Sequence, residues 1–359
     1  MKKIYYIAVV FAILFLAGCG DGIDLPGVNV ETDLNKIPLP DNNVNLEQVE
    51  LKPSTEPMLH EGLHTEEDFQ RIRDKKAAGE EPWVSAYQLL VESQFSQKTA
   101  DTYPTEWIKR GVSGDENYMN AARGATIAYQ QALRWKIEQD DEYAAKAVEN
   151  LNKWVQTCVG VTGNTNLSLA AGLYGYEFAI AGELLRDYGG WDRADFAAFQ
   201  NWLLKVFYPA NDDFLKRHHD TNALHYWANW CLCNIAAKMA IGIVTDRRDI
   251  YNEGIGHLQT GDTNGRLRRA IYHDYAPDYN FAQWQESGRD QGHTLMCVGL
   301  MGIICQLAWS QGDDFFAYDD NLFMRACEYA ACCNYTNETV PYTTYIWQKQ
   351  SQWGYPIPE

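Results

Sequence analysis

Apolar residues recur at helical spacing from about residue 58 onward, and the alternation typical of half-buried strands is nearly absent. The pattern predicts a series of helices joined by loops. Thr65 and Asp192 stand where N-caps are expected, and Gly189-Gly190 follows Tyr188 as a typical helix stop. The predicted helices span residues 66–77, 81–95, 116–138, 141–158, 168–187, 192–207, 221–243, 247–258, 286–311 and 320–334.

This succession of helices argues against a sheet-based fold. We expect an all-α domain, either an (α/α) toroid or an incomplete α/α barrel. No fixed repeat period is visible, which argues against a solenoid. The last stretch, from Tyr335 to Glu359, is aromatic and loop-like.

The N-terminus has the features of a lipoprotein signal. Lys2 and Lys3 precede an apolar run over residues 4–16, which is short for a membrane span. The run ends in Leu16-Ala17-Gly18-Cys19, which resembles a bacterial lipobox. We therefore expect cleavage before Cys19, a lipid on its thiol, and an outer-membrane lipoprotein in the periplasm or on the cell surface. A short membrane anchor with a chance cysteine is the alternative.

The predicted organisation is a signal peptide over residues 1–18, an acidic lipid-anchored tether over 19–57, and one catalytic domain over 58–359. Prolines recur in the tether without an apolar period. Asp21 and Asp24 weakly resemble a surface-export signal.

The charge balance limits the partners of the chain. It has 30 Lys+Arg against 48 Asp+Glu, a formal net charge of -18 that becomes -20 when Lys2 and Lys3 leave with the signal peptide. An acidic surface argues against nucleic acid. The chain is rich in aromatic residues, with 12 Trp and 22 Tyr, whose rings stack on sugars or fill cores. We expect a monomer without a metal or cofactor.

The cysteines other than Cys19 fall mostly in apolar helical segments, and none has the paired spacing of a zinc site. The pattern favours small buried thiols. Export would still allow one or two disulfides. These residues are Cys158, Cys231, Cys233, Cys297, Cys305, Cys327, Cys332 and Cys333.

A first candidate site lies between Arg217 and Trp230. Polar residues recur there at spacings of four, three and four, so that they would share one face of a predicted apolar helix. A cleft for a polar ligand would satisfy them, as would hydrogen bonds inside the core. A metal site of His218, His219 and Asp220 is a third interpretation. The stripe consists of His218, Asn222, His225 and Asn229.

A second candidate site runs from Gln283 to His293. Glu286, Arg289 and His293 would lie on one helical face, with Asp290 one turn after Glu286. Titratable groups at the mouth of a buried helix are typical of active sites. A structural ion network with His293 as a cap is the alternative.

A third candidate site, residues 266–279, is the densest basic cluster of the chain. Arg266, Arg268 and Arg269 are followed by several tyrosines. Such a cluster could meet an anionic sugar, or it could be a solvated loop.

These segments resemble the bacterial alginate lyase-like polysaccharide lyases of the α/α toroid fold, above all the group containing polysaccharide lyase family 38. The resemblance runs from His60-Glu61-Gly62-Leu63-His64-Thr65 to Tyr342-Thr343-Thr344-Tyr345. It includes residues 171–176, 226–230 and 283–294, of which the last is the most specific. The family cleaves uronate polysaccharides such as alginate or glucuronan by β-elimination. The resemblance therefore implies an anionic polysaccharide as substrate.

β-Elimination needs a neutralised carboxylate, a base at C5 and an acid on the leaving oxygen. By resemblance, Asn222, His225 and Arg289 neutralise the carboxylate. His293 or a tyrosine then moves the proton, with Tyr272, Tyr275 and Tyr279 as the tyrosine candidates. The predicted substrate-binding residues are Tyr174, Tyr226, Trp230, Trp284, Gln285, Glu286 and Arg269.

The chain departs from better-known alginate lyases of this fold, which place Asn and His side by side and a catalytic Tyr where Met296 stands here. Two other functions remain as alternatives. One is a glycoside hydrolase using two carboxylates among Glu286, Asp290 and Asp220. The other is a non-catalytic glycan-binding lipoprotein. The acidic chain should repel a polyanion at long range, so we expect moderate salt to help substrate binding.

Overall fold

The structure is a computed structural model that describes residues 56–288, 290–335, 340–343, 346–347 and 350–351. Its helices are α1 Glu66–Ala77, α2 Trp83–Glu92, α3 Tyr118–Glu138, α4 Asp141–Thr157, α5 Leu167–Leu184, α6 Arg193–Val206, α7 Tyr208–Arg217, α8 Ala228–Val244, α9 Arg248–Thr260, α10 Leu267–Ala270, α11 Gln291–Ser310 and α12 Tyr318–Tyr335. Short 3₁₀ turns lie at Gln94–Ser96 and His218–Asp220. The strands are β1 Trp107–Arg110, β2 Gly160–Gly163, β3 Ile271–Asp274, β4 Ala282–Trp284, β5 Ile346–Trp347 and β6 Gln350–Ser351.

Most predicted helices form where the periodicity places them, and both predicted N-caps are confirmed. The Thr65 hydroxyl accepts from the Asp68 N–H in a capping box, and Asp192 accepts from the Ala194 N–H. The prediction missed α7, which restarts directly after α6 at Phe207 with a proline in its first turn.

Two predicted starts are wrong. The helix expected from 221 begins at Ala228, because Trp227 is extended, with φ -63° and ψ 161°. The helix expected from 286 begins at Gln291, because Asp290 is extended and its carboxylate accepts from the His293 N–H as an N-cap. The residues before both starts therefore form loops.

The most buried helices, α5 and α8, run parallel through the centre of the domain. Asn234, in the first half of α8, donates to the Ser168 carbonyl at the start of α5. At the other end, Arg186 just after α5 donates to the last carbonyls of α8 at Ile243 and Val244. The two helices approach closely at Gly172, where a Cβ would lie 2.5 Å from the Cys233 sulfur. All residues of α8 except Trp230 are buried.

Helices α3 and α11 complete an inner layer with the same direction. Strands β1 and β2 pair in parallel and lead into α3 and α5, so these helices begin at the same end. Asn229 in the first turn of α8 contacts Met296 in α11 at 3.7 Å, which places the start of α11 there too. Outer helices alternate with the inner ones along the chain. This alternation is the arrangement of an (α/α) toroid, and the predicted all-α fold is confirmed.

The toroid has a core of aliphatic, aromatic and cysteine side chains. Cys158, Cys231, Cys233, Cys297 and Cys305 have free thiols and are buried. Among the described residues, α11 alone is long and apolar enough to cross a membrane by length and composition. More than half of that window is buried in the fold, which is typical of a core helix. Cys19 and the predicted signal peptide lie outside the described residues, as does most of the tether.

Candidate active site

The sequence candidates gather at the end of the toroid where the inner helices begin. The loop 218–227 enters α8, the antiparallel ribbon β3–β4 leads toward α11, and the pair β1–β2 enters α3 and α5. The N-cap residues of α3, α5 and α8 make no side-chain hydrogen bond to their helices. The partial positive charges at the N-termini of parallel helices reinforce one another. This end of the toroid therefore favours an anion locally, although the protein as a whole is acidic.

A histidine and aromatic cluster occupies the loop before α8. His219 Nε2 lies 2.9 Å from the Ser168 hydroxyl at the start of α5. His218, His219 and Asp220 all have left-handed backbones, with φ of 48°, 53° and 58°. Successive left-handed non-glycine residues are costly, and such strain is found most often at functional sites. The Tyr226 ring packs 5.8 Å from the His219 ring.

The predicted polar stripe does not exist as one helical face, because the helix begins only at Ala228. His218 is buried against the Cys231 sulfur at 3.5 Å, and burial lowers its pKa to about 4. Asn222 and His225 are exposed and close a turn, in which the His225 N–H donates to the Asn222 carbonyl at 2.9 Å. Asn222 and His225 are thus neighbours through a turn rather than through a helix.

His225, Tyr226 and Trp230 form a continuous aromatic surface at the loop. The His225 and Tyr226 rings are 4.9 Å apart, and those of Tyr226 and Trp230 are 4.6 Å apart. All three are at least partly accessible. The surface offers ring faces to a sugar, as the sequence suggests for Tyr226 and Trp230. Tyr174, the other tyrosine predicted to bind substrate, is buried in α5.

The residues of the metal-site interpretation point to different partners. His218 contacts Cys231, His219 contacts Ser168, and Asp220 pairs with Arg217 at 3.1 Å. Within the described parts of the chain, no group of three potential ligands could hold a metal ion. His218 and His219 therefore connect the loop to α8 and α5.

A tyrosine and glutamine relay lies on the ribbon β3–β4. Tyr272 is 6% exposed, and its phenol oxygen accepts from Gln283 Nε2 at 2.9 Å. Tyr275 donates to Gln283 Oε1 at 2.5 Å, and burial raises its pKa to about 12. Thr343 fastens the same amide through its N–H and carbonyl. Tyr279 is 52% exposed at the tip of the ribbon, outside this network.

The acidic cap of α11 holds a histidine. Asp290 Oδ2 lies 2.6 Å from His293 Nδ1, while Oδ1 accepts the His293 backbone N–H at 3.0 Å. Glu286 is buried in the turn before α11. The predicted helical face shared by Glu286 and His293 therefore does not form. Burial raises the pKa of the Cys297 thiol, and the charge of Glu286 adds to the shift. Arg289, predicted to neutralise the carboxylate, lies outside the described residues.

Three residues predicted to bind substrate make contacts within the fold. Trp284 is 1% exposed and donates to the Ala326 carbonyl in the core, so its face cannot meet a sugar. Gln285 is buried and spends its amide on the Ala228 N–H and the Arg269 carbonyl. The Arg269 guanidinium donates to the Asp262 carbonyl beside it.

The rest of the basic cluster also makes structural contacts. Arg268 pairs with Asp274 and Asp319, and Arg325 completes this network from α12. The network ties the ribbon to the outer layer. Arg268 and Arg269 are therefore engaged within the fold.

Sequence reasoning missed two features of this end. Ser168 attracts no attention in an apolar helix, and only the fold brings it to His219 across 51 positions. Gln283 opens the second candidate segment, but the sequence does not indicate that its amide binds two tyrosines. The spacing of residues in the chain gave no signal for either contact.

Comparisons with known proteins agree on the type of protein. A model of the alginate lyase family matches residues 72–338. Alginate lyase A1-III from Sphingomonas species A1 is 13% identical, with a TM-score of 0.54 over 77% of this chain and 80% of that one. A variant of alginate lyase A1-III complexed with a tetrasaccharide gives a TM-score of 0.55 at 13% identity over 80% of both chains. An alginate lyase from Bacteroides ovatus is 15% identical, with a TM-score of 0.56 over 75% of this chain and 82% of that one. Curated proteins give no match.

Proposed function

The chain belongs to the alginate lyase family and is a polysaccharide lyase, and on that premise we propose that it cleaves a uronate polymer at the end of the toroid where the inner helices begin. The observation that supports the proposal is that segments carrying asparagine, histidine and tyrosine side chains, which suit anion binding and proton transfer, meet at that end. These segments are the loop before α8, the ribbon β3–β4 and the start of α11. Alginate and glucuronan are the substrates we expect.

β-Elimination first requires that the charge of the uronate carboxylate is neutralised. The C5 proton of a uronate becomes acidic enough only when its carboxylate is neutralised by hydrogen bonds or cations. Asn222 and His225 stand on the accessible loop at the helix starts, and Arg289 follows the buried turn before Asp290. We assign these three residues to the carboxylate.

Tyr272 is the proton-transfer group that the geometry favours. The Gln283 amide donates to its oxygen, which supports a phenolate when the proton is away. His293 is the second candidate, because Asp290 binds Nδ1 and thereby directs Nε2 to exchange the proton. Tyr279 is a poor candidate on this geometry, since it is exposed and outside the relay.

An ultraviolet absorbance assay tests the proposal, because elimination creates a conjugated double bond. The substrates are alginate, polymannuronate, polyguluronate and glucuronan, with wild type and the variants Tyr272→Phe, His225→Ala and His293→Ala. We expect a loss of kcat of about 100-fold or more for the proton-transfer residue. Tyr87→Phe is the matched control, since Tyr87 binds Glu138 away from this end.

Two outcomes would contradict the proposal. New reducing ends without absorbance would indicate hydrolysis. Retained activity in both Tyr272→Phe and His293→Ala would show that the proton moves elsewhere.

We also propose that a lipid on Cys19 anchors the protein in the outer membrane, with the domain as a monomer. The charged start, the short apolar run and the lipobox-like residues support this proposal. Growth with a labelled fatty acid should label the wild-type protein and leave Cys19→Ser unlabelled. Equal labelling of that variant would contradict the proposal.

A further inference from the structure

Arg110 is a buried cation that has no anionic partner among the described residues. It ends strand β1 and is 6% exposed. Within the described residues its guanidinium makes neither a hydrogen bond nor an ion pair, and Nη1 is enclosed without a partner. An arginine always carries its charge and has five N–H donors to satisfy. A buried group of this kind needs an explanation, and an absent ligand is one.

The other buried cations of the described residues all have carboxylate partners. Arg134 pairs with Glu138, Arg186 with Glu183, and Arg325 with Asp274. The fully buried Lys238 has two partners, Asp212 and Glu253. The fold therefore compensates buried charge as a rule, and Arg110 departs from that rule.

Arg110 lies at the candidate active site. Its guanidinium carbon is 4.6 Å from the ring centroid of Tyr118, the first residue of α3. Its charge also reaches the Cys233 thiol of α8. The neighbour of Cys233, Asn234, binds the carbonyl of Ser168, whose hydroxyl contacts His219. Arg110 is thus next to the cluster at the helix starts, rather than at a remote point of the core.

The backbone holds Arg110 in one position. It pairs with Gly163 across the parallel strands β1 and β2. Gly163 has φ +141°, and a Cβ there would lie 1.8 Å from the Arg110 carbonyl oxygen. The Tyr118 ring face then orients the guanidinium. A donor fixed in this way loses little freedom when it binds a ligand.

We propose that Arg110 binds a carboxylate of the polysaccharide, on a sugar next to the one that reacts; the inference rests on the proposed function. The planar fork of a guanidinium matches a carboxylate with two parallel hydrogen bonds. Only a small part of the side chain is accessible, which suits a projecting carboxylate better than a whole sugar ring. The site would select uronate over neutral polymers, because a neutral sugar leaves the buried charge uncompensated.

The test compares Arg110→Met and Arg110→Lys with a matched control, Arg134→Met. Arg134 is similarly buried and stacks on Tyr143 at 4.3 Å, but it has its own carboxylate. We expect Arg110→Met to lower kcat/KM by roughly 30-fold or more, mainly through KM, because a carboxylate away from the reacting carbon binds equally in ground and transition states. Arg110→Lys should retain part of the activity.

Stability provides the second readout. Arg110→Met removes an uncompensated buried charge, so its melting temperature should stay the same or rise. Arg134→Met leaves Glu138 without its cationic partner, so its melting temperature should fall, while the KM of the folded enzyme stays unchanged. A fall in stability for Arg110→Met together with normal KM would show a structural role and overturn the proposal.

Calorimetric titration separates this inference from the proposed function. The probes are a tetramannuronate, a tetraglucuronate and the neutral tetrasaccharide cellotetraose. If wild type forms no unsaturated product but binds an acidic probe that Arg110→Met does not bind, the lyase proposal fails and the anion site stands. If wild type is active and Arg110→Met matches it within twofold, the anion site fails and the lyase proposal stands. Wild type that neither cleaves a polyuronate nor binds an acidic probe would overturn both.

Discussion

Glu177 allows a quantitative test of the electrostatics inside the toroid. It lies in the middle of α5 beside Tyr176 and near the Tyr129 phenol of α3, which contacts His64 at 2.6 Å. Burial raises the pKa of the Glu177 carboxyl from 4.5 to about 8, although a hydrogen bond from Tyr176 opposes the shift. The carboxyl is therefore mostly protonated in the folded protein at neutral pH.

The sign of the effect follows from proton binding. Between pH 4.5 and about 8, Glu177 holds a proton in the folded protein that it has lost in the unfolded chain. Its contribution to the free energy of unfolding is therefore complete below pH 4.5 and is lost as the pH rises toward 8. Each pH unit is worth about 1.4 kcal/mol, which gives an upper limit of roughly 5 kcal/mol. Glu177 keeps partial solvent access, so we expect about half of that, or about 4 °C in a domain of this size.

Glu177→Gln removes the titration while keeping the shape of the protonated acid. Melting temperatures by circular dichroism at pH 5 and 8.5 should show a difference between variant and wild type that grows by about 4 °C at the higher pH. Glu149→Gln is the control, because Lys146 and Lys153 lower the Glu149 pKa to about 2 and it stays ionised at both pH values. An equal difference at both pH values for Glu177→Gln would refute the reasoning.

Three further predictions concern stability and binding. Lys238→Met should lower the free energy of unfolding by about 3–5 kcal/mol, because it leaves Asp212 and Glu253 without their buried partner. A decrease of less than about 1 kcal/mol, measured by urea unfolding, would contradict this prediction. Burial lowers the pKa of three histidines to about 4, so stability should fall as pH drops from 6.5 toward 4; a flat denaturation midpoint over that range would contradict this. The KM for a polyuronate should first fall as salt rises, and a steady rise of KM would indicate that local cations dominate. The histidines are His64, His218 and His257.

Local periodicity was enough to predict most of the helices and the fold class. The start of α1 at Thr65 needs only a hydroxyl and an acidic residue three positions later, and such a signal lies within one turn of chain. The family resemblance rested in the same way on contiguous residues such as 283–294. The starts of α8 and α11 could not be predicted, because the polar residues before them continue the helical spacing while the backbone is already extended.

The tertiary structure decided which residues can meet a substrate. Trp284 and Trp230 are the same type of residue. Trp284 is buried against α12, whereas Trp230 lies on an accessible surface of aromatic rings. Arg110 lies in an ordinary polar segment, and only the folded structure shows that it has no carboxylate partner among the described residues. Helix formation depends on contacts within a few residues, whereas burial and charge compensation depend on partners from distant segments. The sequence alone therefore determined the elements and their chemistry, and packing determined the site.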